Sequence, residues 1–207
     1  MSDILLVKHP LIDHSLSILR DRETDTSRFR RHAGIVSQIL IVEATRCLRT
    51  SPTPIETPVA SCEGAVLDQK TVVVPVLRAG LAMLMTIQDF LPDAAVGFVG
   101  LERDEKTAVA REYYQKLPEI APDDQVLVLD PMLATGGSLD DTVTILLKKN
   151  PGSIALVCVL AAPEGVARIQ DRYPGITIIT AAIDDHLNEK KYIIPGLGDF
   201  GDRYFGT

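Results

Sequence analysis

From residue 71 onward, short aliphatic runs alternate with amphipathic stretches of helical length, and no other feature of the chain narrows its fold so far. The runs are TVVVPVL (71–77), AAVGFVG (94–100), QVLVLD (125–130), SIALVCVL (153–160) and ITIITAAI (176–183). Between them AGLAMLMTIQDFL (79–91), GSLDDTVTILLKKN (137–150) and PEGVARIQDRYP (163–174) read as helices. A strand with one wet face alternates apolar and polar residues. Several of these runs are apolar throughout, as required where helices cover both faces of a largely parallel sheet. The expected class is α/β, with a mostly parallel sheet flanked by helices. Ligands bind such sheets beyond the carboxyl ends of the strands. The informative loops therefore follow Leu77, Gly100, Leu129 and Leu160.

The flanking segments differ in character. Residues from about Pro10 to Thr50 read as helical, with Ile35, Ile39, Val42 and Leu48 near helical spacing and Ser27 as a start. TSPTPIETPVA (50–60), with three prolines and alternating Ile55, Thr57 and Val59, reads as an edge strand or arm. The charged stretch 101–117 lacks a steady apolar period and is expected to form a flap or hairpin. The tail YIIPGLGDFGDRYFGT (192–207) has four glycines, yet Tyr192, Ile193, Ile194, Phe200, Tyr204 and Phe205 predict that it packs. A length of 207 residues suits one domain, 1–207. Its core would span about 70–182, preceded by helices and an arm (1–69) and followed by a C-terminal segment (183–207).

Charge and cysteine usage exclude several classes. A formal net charge of −7 disfavours binding to nucleic acid through a general basic face. The three cysteines, Cys47, Cys62 and Cys158, are far apart and show no zinc spacing, which suggests buried or inert thiols in a reducing cytoplasm. The N-terminus lacks the pattern of a signal peptide, and Pro75, Arg78 and Gly80 interrupt the most apolar stretch, so no membrane partner is expected. His9, His14, His32 and His186 form no cluster in sequence, and surface or structural roles are expected for them.

The chemistry concentrates in VLVLDPMLATGGS (126–138), where an apolar strand ends on Asp130. Leu139, Val143, Leu146 and Leu147 then form one helical face, and Ser138 to Asp141 match a capping box. Gly136 and Gly137 thus fall at a helix N-terminus, where free N–H groups and the dipole favour an anion. Thr135 and Ser138 can add hydroxyl donors. A carboxylate at a strand end is costly unless satisfied, and Asp130 can accept from two adjacent sugar hydroxyls. Phosphate plus a vicinal diol describes a phosphorylated ribose. Arg78 and Arg103 follow neighbouring strands, and arginine makes bidentate contacts to phosphate oxygens.

VLDPMLATGGS resembles the ribose-phosphate loop of type I phosphoribosyltransferases, and in particular that of the uracil phosphoribosyltransferases. VKHPL (7–11), VPVLRAGL (74–81), AAPEG (161–165) and the tail resemble the same family, so the likeness spans nearly the whole chain. It implies transfer of phosphoribosyl from phosphoribosyl diphosphate to uracil, giving UMP and diphosphate, with Mg2+. It implies that Arg78 and Arg103 bind the diphosphate, and that Asp130, Pro131, Met132, Leu133, Ala134, Thr135, Gly136, Gly137 and Ser138 hold the ribose and its 5-phosphate. Ile193, Gly198, Asp199 and Phe200 would meet the uracil, with Asp199 also reaching the phosphoribosyl substrate. Arg78, Asp130 and Asp199 are then the candidate catalytic residues, and AAPEG a support for the base site. Relatives in the wider superfamily carry two adjacent acids where this chain has Asp130-Pro131, which implies that magnesium is held mainly by substrate oxygens and water. The Phe200 ring is expected at the pocket edge. The likeness further implies a homo-oligomer, dimer or tetramer, and GTP as an effector. A pyrimidine-operon RNA-binding regulator on the same fold is the alternative, and the acidic balance counts against it. A catalytically silent relative is opposed by the intact Arg78, Asp130, Thr135 and Asp199.

Overall fold

The computed structural model describes residues 4–88, 90–103 and 110–207, without the side chains of 102, 103 and 110–112. The strands are β1 (Ile4–Leu6), β2 (Thr50–Glu56), β3 (Ser61–Leu67), β4 (Thr71–Leu77), β5 (Ala95–Val96), β6 (Phe98–Arg103), β7 (Ala110–Lys116), β8 (Gln125–Leu129), β9 (Met132–Leu133), β10 (Ser153–Ala161), β11 (Thr177–Ile183), β12 (His186–Leu187) and β13 (Ile193–Ile194). The helices are α1 (Pro10–Arg20), α2 (Thr26–Ala44), α3 (Leu81–Ile87), α4 (Gly137–Leu147), α5 (Pro163–Arg172) and α6 (Phe200–Phe205).

The main sheet runs β1-β11-β10-β8-β4-β6-β7. Its neighbours are parallel except for the antiparallel pair β6–β7. The central register, Val74 beside Val128 and Val128 beside Leu156, places like residues on the same face. Side chains along a strand alternate faces, and each face here meets its own layer. Val73, Leu127, Leu129, Val157 and Ile179 join the core of α1, α2 and α3. Val72, Val74, Val126, Val128, Leu156 and Ile178 join Leu139, Val143 and Leu146 of α4 and Val166 and Ile169 of α5. That explains the unbroken apolar runs: both phases of each central strand are buried. Fully burying one such aliphatic side chain stabilises by about 1.5–3 kcal/mol.

The helical N-terminus consists of two helices, α1 and α2. His9 caps α1 by accepting from Leu11 N at 3.1 Å, and Asp25 caps α2 by accepting from Arg28 N at 2.9 Å. Asp25, not Ser27, therefore starts the second helix. The histidines also depart from the expectation of separation: the His14 and His32 rings meet edge to face at 5.6 Å, and His32 Nδ1 lies 3.2 Å from Ser15 Oγ. Burial, followed by the nearby His14, Arg28 and Arg31, holds the His32 imidazole below its usual pKa.

Residues 50–67 form a hairpin, β2 against β3, outside the main sheet. The strand stops at Glu56, and Thr57 instead closes the turn by bonding to Ala60. Residues 94–100 are two strands rather than one. They break at Gly97, where a Cβ would lie 2.7 Å from Leu117 Cδ2 and 2.9 Å from Pro118 Cδ. Of the 101–117 flap or hairpin, the described parts pair antiparallel, and residues 104–109 lie outside the described residues. All three cysteines are free. Cys158 is buried, but Cys47 and Cys62 are exposed, because one follows the end of α2 and the other lies on the protruding hairpin.

Candidate active site

The loops after β4, β8 and β10 converge at the carboxyl end of the sheet. The β4 loop is pulled against β8 at Gly80, where a Cβ would fall 2.3 Å from the Leu129 carbonyl and 2.7 Å from Val76 N and O. Only glycine permits that approach. Arg78 sits two residues earlier, after a cis Leu77–Arg78 peptide, and its guanidinium lies 3.5 Å from Asp202 of α6. Arg103 ends β6, and its side chain lies outside the described residues.

After β8 the chain turns at Asp130, whose Oδ1 accepts from Met132 N at 3.3 Å. Burial, aided by the Asp130 charge, drives the thiol of neighbouring Cys158 well above its usual pKa, so that cysteine stays a neutral core residue. Met132 and Leu133 form β9, a short parallel extension alongside β10. The backbone then reverses at Gly136, with φ 76°, and α4 begins at Gly137. The expected capping box is absent: Gly136 is the N-cap, and Ser138 already lies within the first turn. A left-handed glycine ends the loop without a side-chain cap, and Gly137 N instead lies 3.4 Å from Thr135 Oγ1. Pro131, Leu133 and Gly136 are buried, so the loop is anchored from below while its other residues face outward in part.

Helix α5 supplies part of that anchoring. Ala162 N donates to Leu133 O at 2.8 Å, and a Cβ on Gly165 would lie 2.4 Å from Ala134 O. AAPEG, expected to support the base site, backs the Asp130 loop, and its Glu164 also accepts from Leu187 N of β12 at 2.9 Å. Asp140, on the first turns of α4, is wholly buried. It accepts from Arg168 Nε and Nη2 at 2.9 and 2.6 Å, from Tyr173 at 2.6 Å and from Arg172. Burial pushes its carboxyl up, but the Tyr173 and Arg168 bonds and the two arginine charges outweigh that and hold the pKa below the ordinary value.

The tail forms the opposite wall. The β12–β13 hairpin leads through a cis Ile194–Pro195 bond into Gly196 and Gly198, with φ of 63° and 81°. Asp199 then caps α6 by accepting from Asp202 N at 2.9 Å. Phe200 borders the cavity, but its ring packs inward. It is buried against Phe29, with centroids 5.3 Å apart, and stacks on Tyr204. Of the other aromatics expected to pack, Tyr192 is exposed.

A cavity of about 910 Å³ lies between these walls. It brings together Arg78, Asp130, Met132, Ala134 and Ser138 from the sheet side, and Ile193, Gly198, Asp199 and Phe200 from the tail. Pro131, Leu133, Thr135, Gly136 and Gly137 belong to the same loop but do not line it. Tyr113, Lys190, Lys191 and Asp202 line it without having been singled out from sequence. Residues Lys190 and Lys191 belong to a charged turn, NEKK, that resembles any solvated loop until β12 and β13 fold it over the cavity. Among the described residues no group of three or more His, Cys, Asp or Glu side chains could hold a metal, and no helix is long and apolar enough to cross a membrane.

Comparison with known proteins points the same way as this geometry. The uracil phosphoribosyltransferase from Campylobacter fetus subsp. fetus is 47% identical over 207 residues, covering 100% of this chain and 99% of its own. The uracil phosphoribosyltransferase from Campylobacter concisus is 44% identical over the full length of both chains. Among solved structures, the AQ2163 protein from Aquifex aeolicus superposes with a TM-score of 0.93 at 36% identity, over 99% of this chain and 98% of that one. The family model described as uracil phosphoribosyltransferase matches residues 6–207, and the chain, in which the Asp130 loop and a glycine-rich tail face one cavity, belongs to that family of enzymes.

Proposed function

We propose that the cavity joins uracil to the 5-phosphoribosyl group of phosphoribosyl diphosphate, and that each wall handles one substrate. The observation that carries this is the single cavity shared by the Asp130 loop and the Gly198–Phe200 segment. The Asp130 carboxylate accepts from the two ribose hydroxyls. The 5-phosphate would meet the start of α4, where Ser138 lines the cavity and Thr135, Gly136 and Gly137 lie just beyond its lining. Arg78, with Arg103, neutralises the diphosphate, and Asp202 holds the Arg78 guanidinium near the cavity until the diphosphate arrives. One carboxylate followed by Pro131 suits magnesium kept mostly by substrate oxygens and water, and when bound the ion screens the charge growing on the leaving diphosphate.

The reaction is displacement at the anomeric carbon. The bond to diphosphate breaks with its electron pair leaving on oxygen, and the bond to uracil N1 forms, through a sugar with oxocarbenium character. Uracil N1 gives up its proton. That proton passes to water or to Asp199, which lines the base wall together with Asp202 and whose Oδ1 also accepts from Asp202 N. The Gly198 carbonyl and Phe200 N–H would read uracil N3–H and O4. Cytosine reverses both polarities, and each mismatched buried group costs about 1–3 kcal/mol.

The wider assignments are a cytoplasmic enzyme of pyrimidine salvage that forms a homo-oligomer. The assembly reading is supported by the protruding hairpin, where Ile55, Val66 and Leu67 are 44%, 47% and 54% exposed. Activation by GTP rests on the family resemblance alone, and rates with and without GTP test it. Incubation with uracil, phosphoribosyl diphosphate and magnesium tests the reaction: UMP is expected only with all three. Transfer to hypoxanthine or cytosine with none to uracil would overturn it.

A further inference from the structure

Two arginines outside the cavity clamp the turn that carries the base wall. Gly196 lies two residues before Gly198, and a Cβ there would fall 2.1 Å from Ile193 O, so the turn is closed as tightly as a backbone allows. Its N–H donates to Asp184 Oδ2 at 2.8 Å. Its carbonyl accepts from Arg20 Nη1 at 2.8 Å. The same Arg20 forks onto Asp184, with Nη1 2.7 Å from Oδ2 and Nη2 2.6 Å from Oδ1. Both polar groups of one glycine are thus held by the two halves of one ion pair, in which the Asp184 side chain is only 6% exposed.

The neighbouring residues are tied down as well. Asp184 N donates to Ala161 O and Asp185 N to Ile194 O, which joins the pair to β10 and β13. Arg203 Nη1 donates to Leu197 O at 2.7 Å, while its guanidinium lies 4.5 Å from the Phe29 ring centroid and also donates to Asp21 O. The carbonyls of Gly196 and Leu197 are therefore committed away from the cavity. Next in the chain, Gly198 and Phe200 line it.

We infer that Arg20 and Asp184 are positioning residues for base recognition: they fix the Gly196 peptide, and through it the spacing at which Gly198 and Phe200 present their backbone groups to the base. This rests on the reading that the base lies against Gly198–Phe200. A bidentate arginine fork fixes direction as well as distance. Lysine at position 20 keeps a charge but cannot serve both carboxylate oxygens and a carbonyl in one plane. Asparagine at position 184 keeps the shape and loses the second accepting oxygen.

The test uses full-length Asp184→Asn and Arg20→Lys, assayed below each variant's unfolding midpoint. Uracil KM should rise about tenfold or more, while the Kd for phosphoribosyl diphosphate, measured by calorimetry with magnesium, stays within about twofold. At saturating uracil, kcat should change by less than about threefold, and preference for uracil over cytosine should fall at least about fivefold. Unchanged uracil KM and preference in either folded variant would overturn the inference. So would a parallel loss of phosphoribosyl diphosphate binding, which marks a merely structural strap, or failure of both variants to fold. If only Asp184→Asn fails to fold, Arg20→Lys decides. A wild-type protein that binds phosphoribosyl diphosphate but makes no UMP would instead overturn the substrate reading, and this inference with it.

Discussion

Asp130 stands where the buried run of β8 meets Pro131, with Oδ1 turned back onto Met132 N at 3.3 Å. That bond positions the carboxylate at the cavity wall, where the proposed ribose diol would meet it. Asp130→Asn preserves the side chain's shape and removes its charge. A hydrogen bond to a charged group contributes about 1.5–3 kcal/mol, so kcat/KM for phosphoribosyl diphosphate should fall about tenfold to a hundredfold with the fold intact by circular dichroism. Wild-type kinetics would remove Asp130 from ribose binding. Asp130 and Arg78 were legible in the sequence because a charge at the end of an apolar run is conspicuous. That the Phe200 ring packs on Phe29, far away in α2, was not, because nothing local announces that contact. Ser138 was misplaced as a cap because its spacing to Asp141 imitates one, while the cap was decided by the φ of 76° at Gly136.

Helices α4 and α5 meet through one carboxylate. Asp140 holds Arg168, Arg172 and Tyr173 of α5 and its C-terminal end, directly behind the loop that begins α4. Its folded pKa is lowered, so the stabilisation is fully present above the unfolded value near 3.8 and is lost as pH falls through the folded value. Both arginines are about half exposed, which weakens their share by solvent screening. Asp140→Asn should therefore cost about 1–3 kcal/mol at neutral pH, and the gap to wild type in urea unfolding should narrow below about pH 4. A gap that does not depend on pH would assign the cost to packing instead. The strands on either side of this brace were legible because continuous apolar runs leave no alternative to burial on both faces. The break between α1 and α2 was not, since Asp21–Asp25 reads as an exposed helical turn until the Asp25 carboxylate is seen to cap α2.

Across the whole molecule, the class and the site's end of the sheet could be inferred from alternation alone, but the strand order could not. Nothing in ILL (4–6) says that β1 pairs with β11, near the other end of the chain. A similar distance separates the halves of the Arg20–Asp184 pair, which stand 164 positions apart. During synthesis α1 emerges early and its arginine has no partner. At about 5–20 residues per second the carboxylate arrives on the order of ten seconds later. Contacts of such long range close late, because the loop between them must be ordered first. A chain stopped before residue 184 should therefore leave the α1 amides open to hydrogen exchange, and the complete chain should protect them. Protection already full in the shorter chain would show that α1 docks on the sheet without the tail. On this ordering, the wall proposed to choose the base takes shape after the sheet it faces, and a chain without residues 184–200 has no means of selecting a substrate.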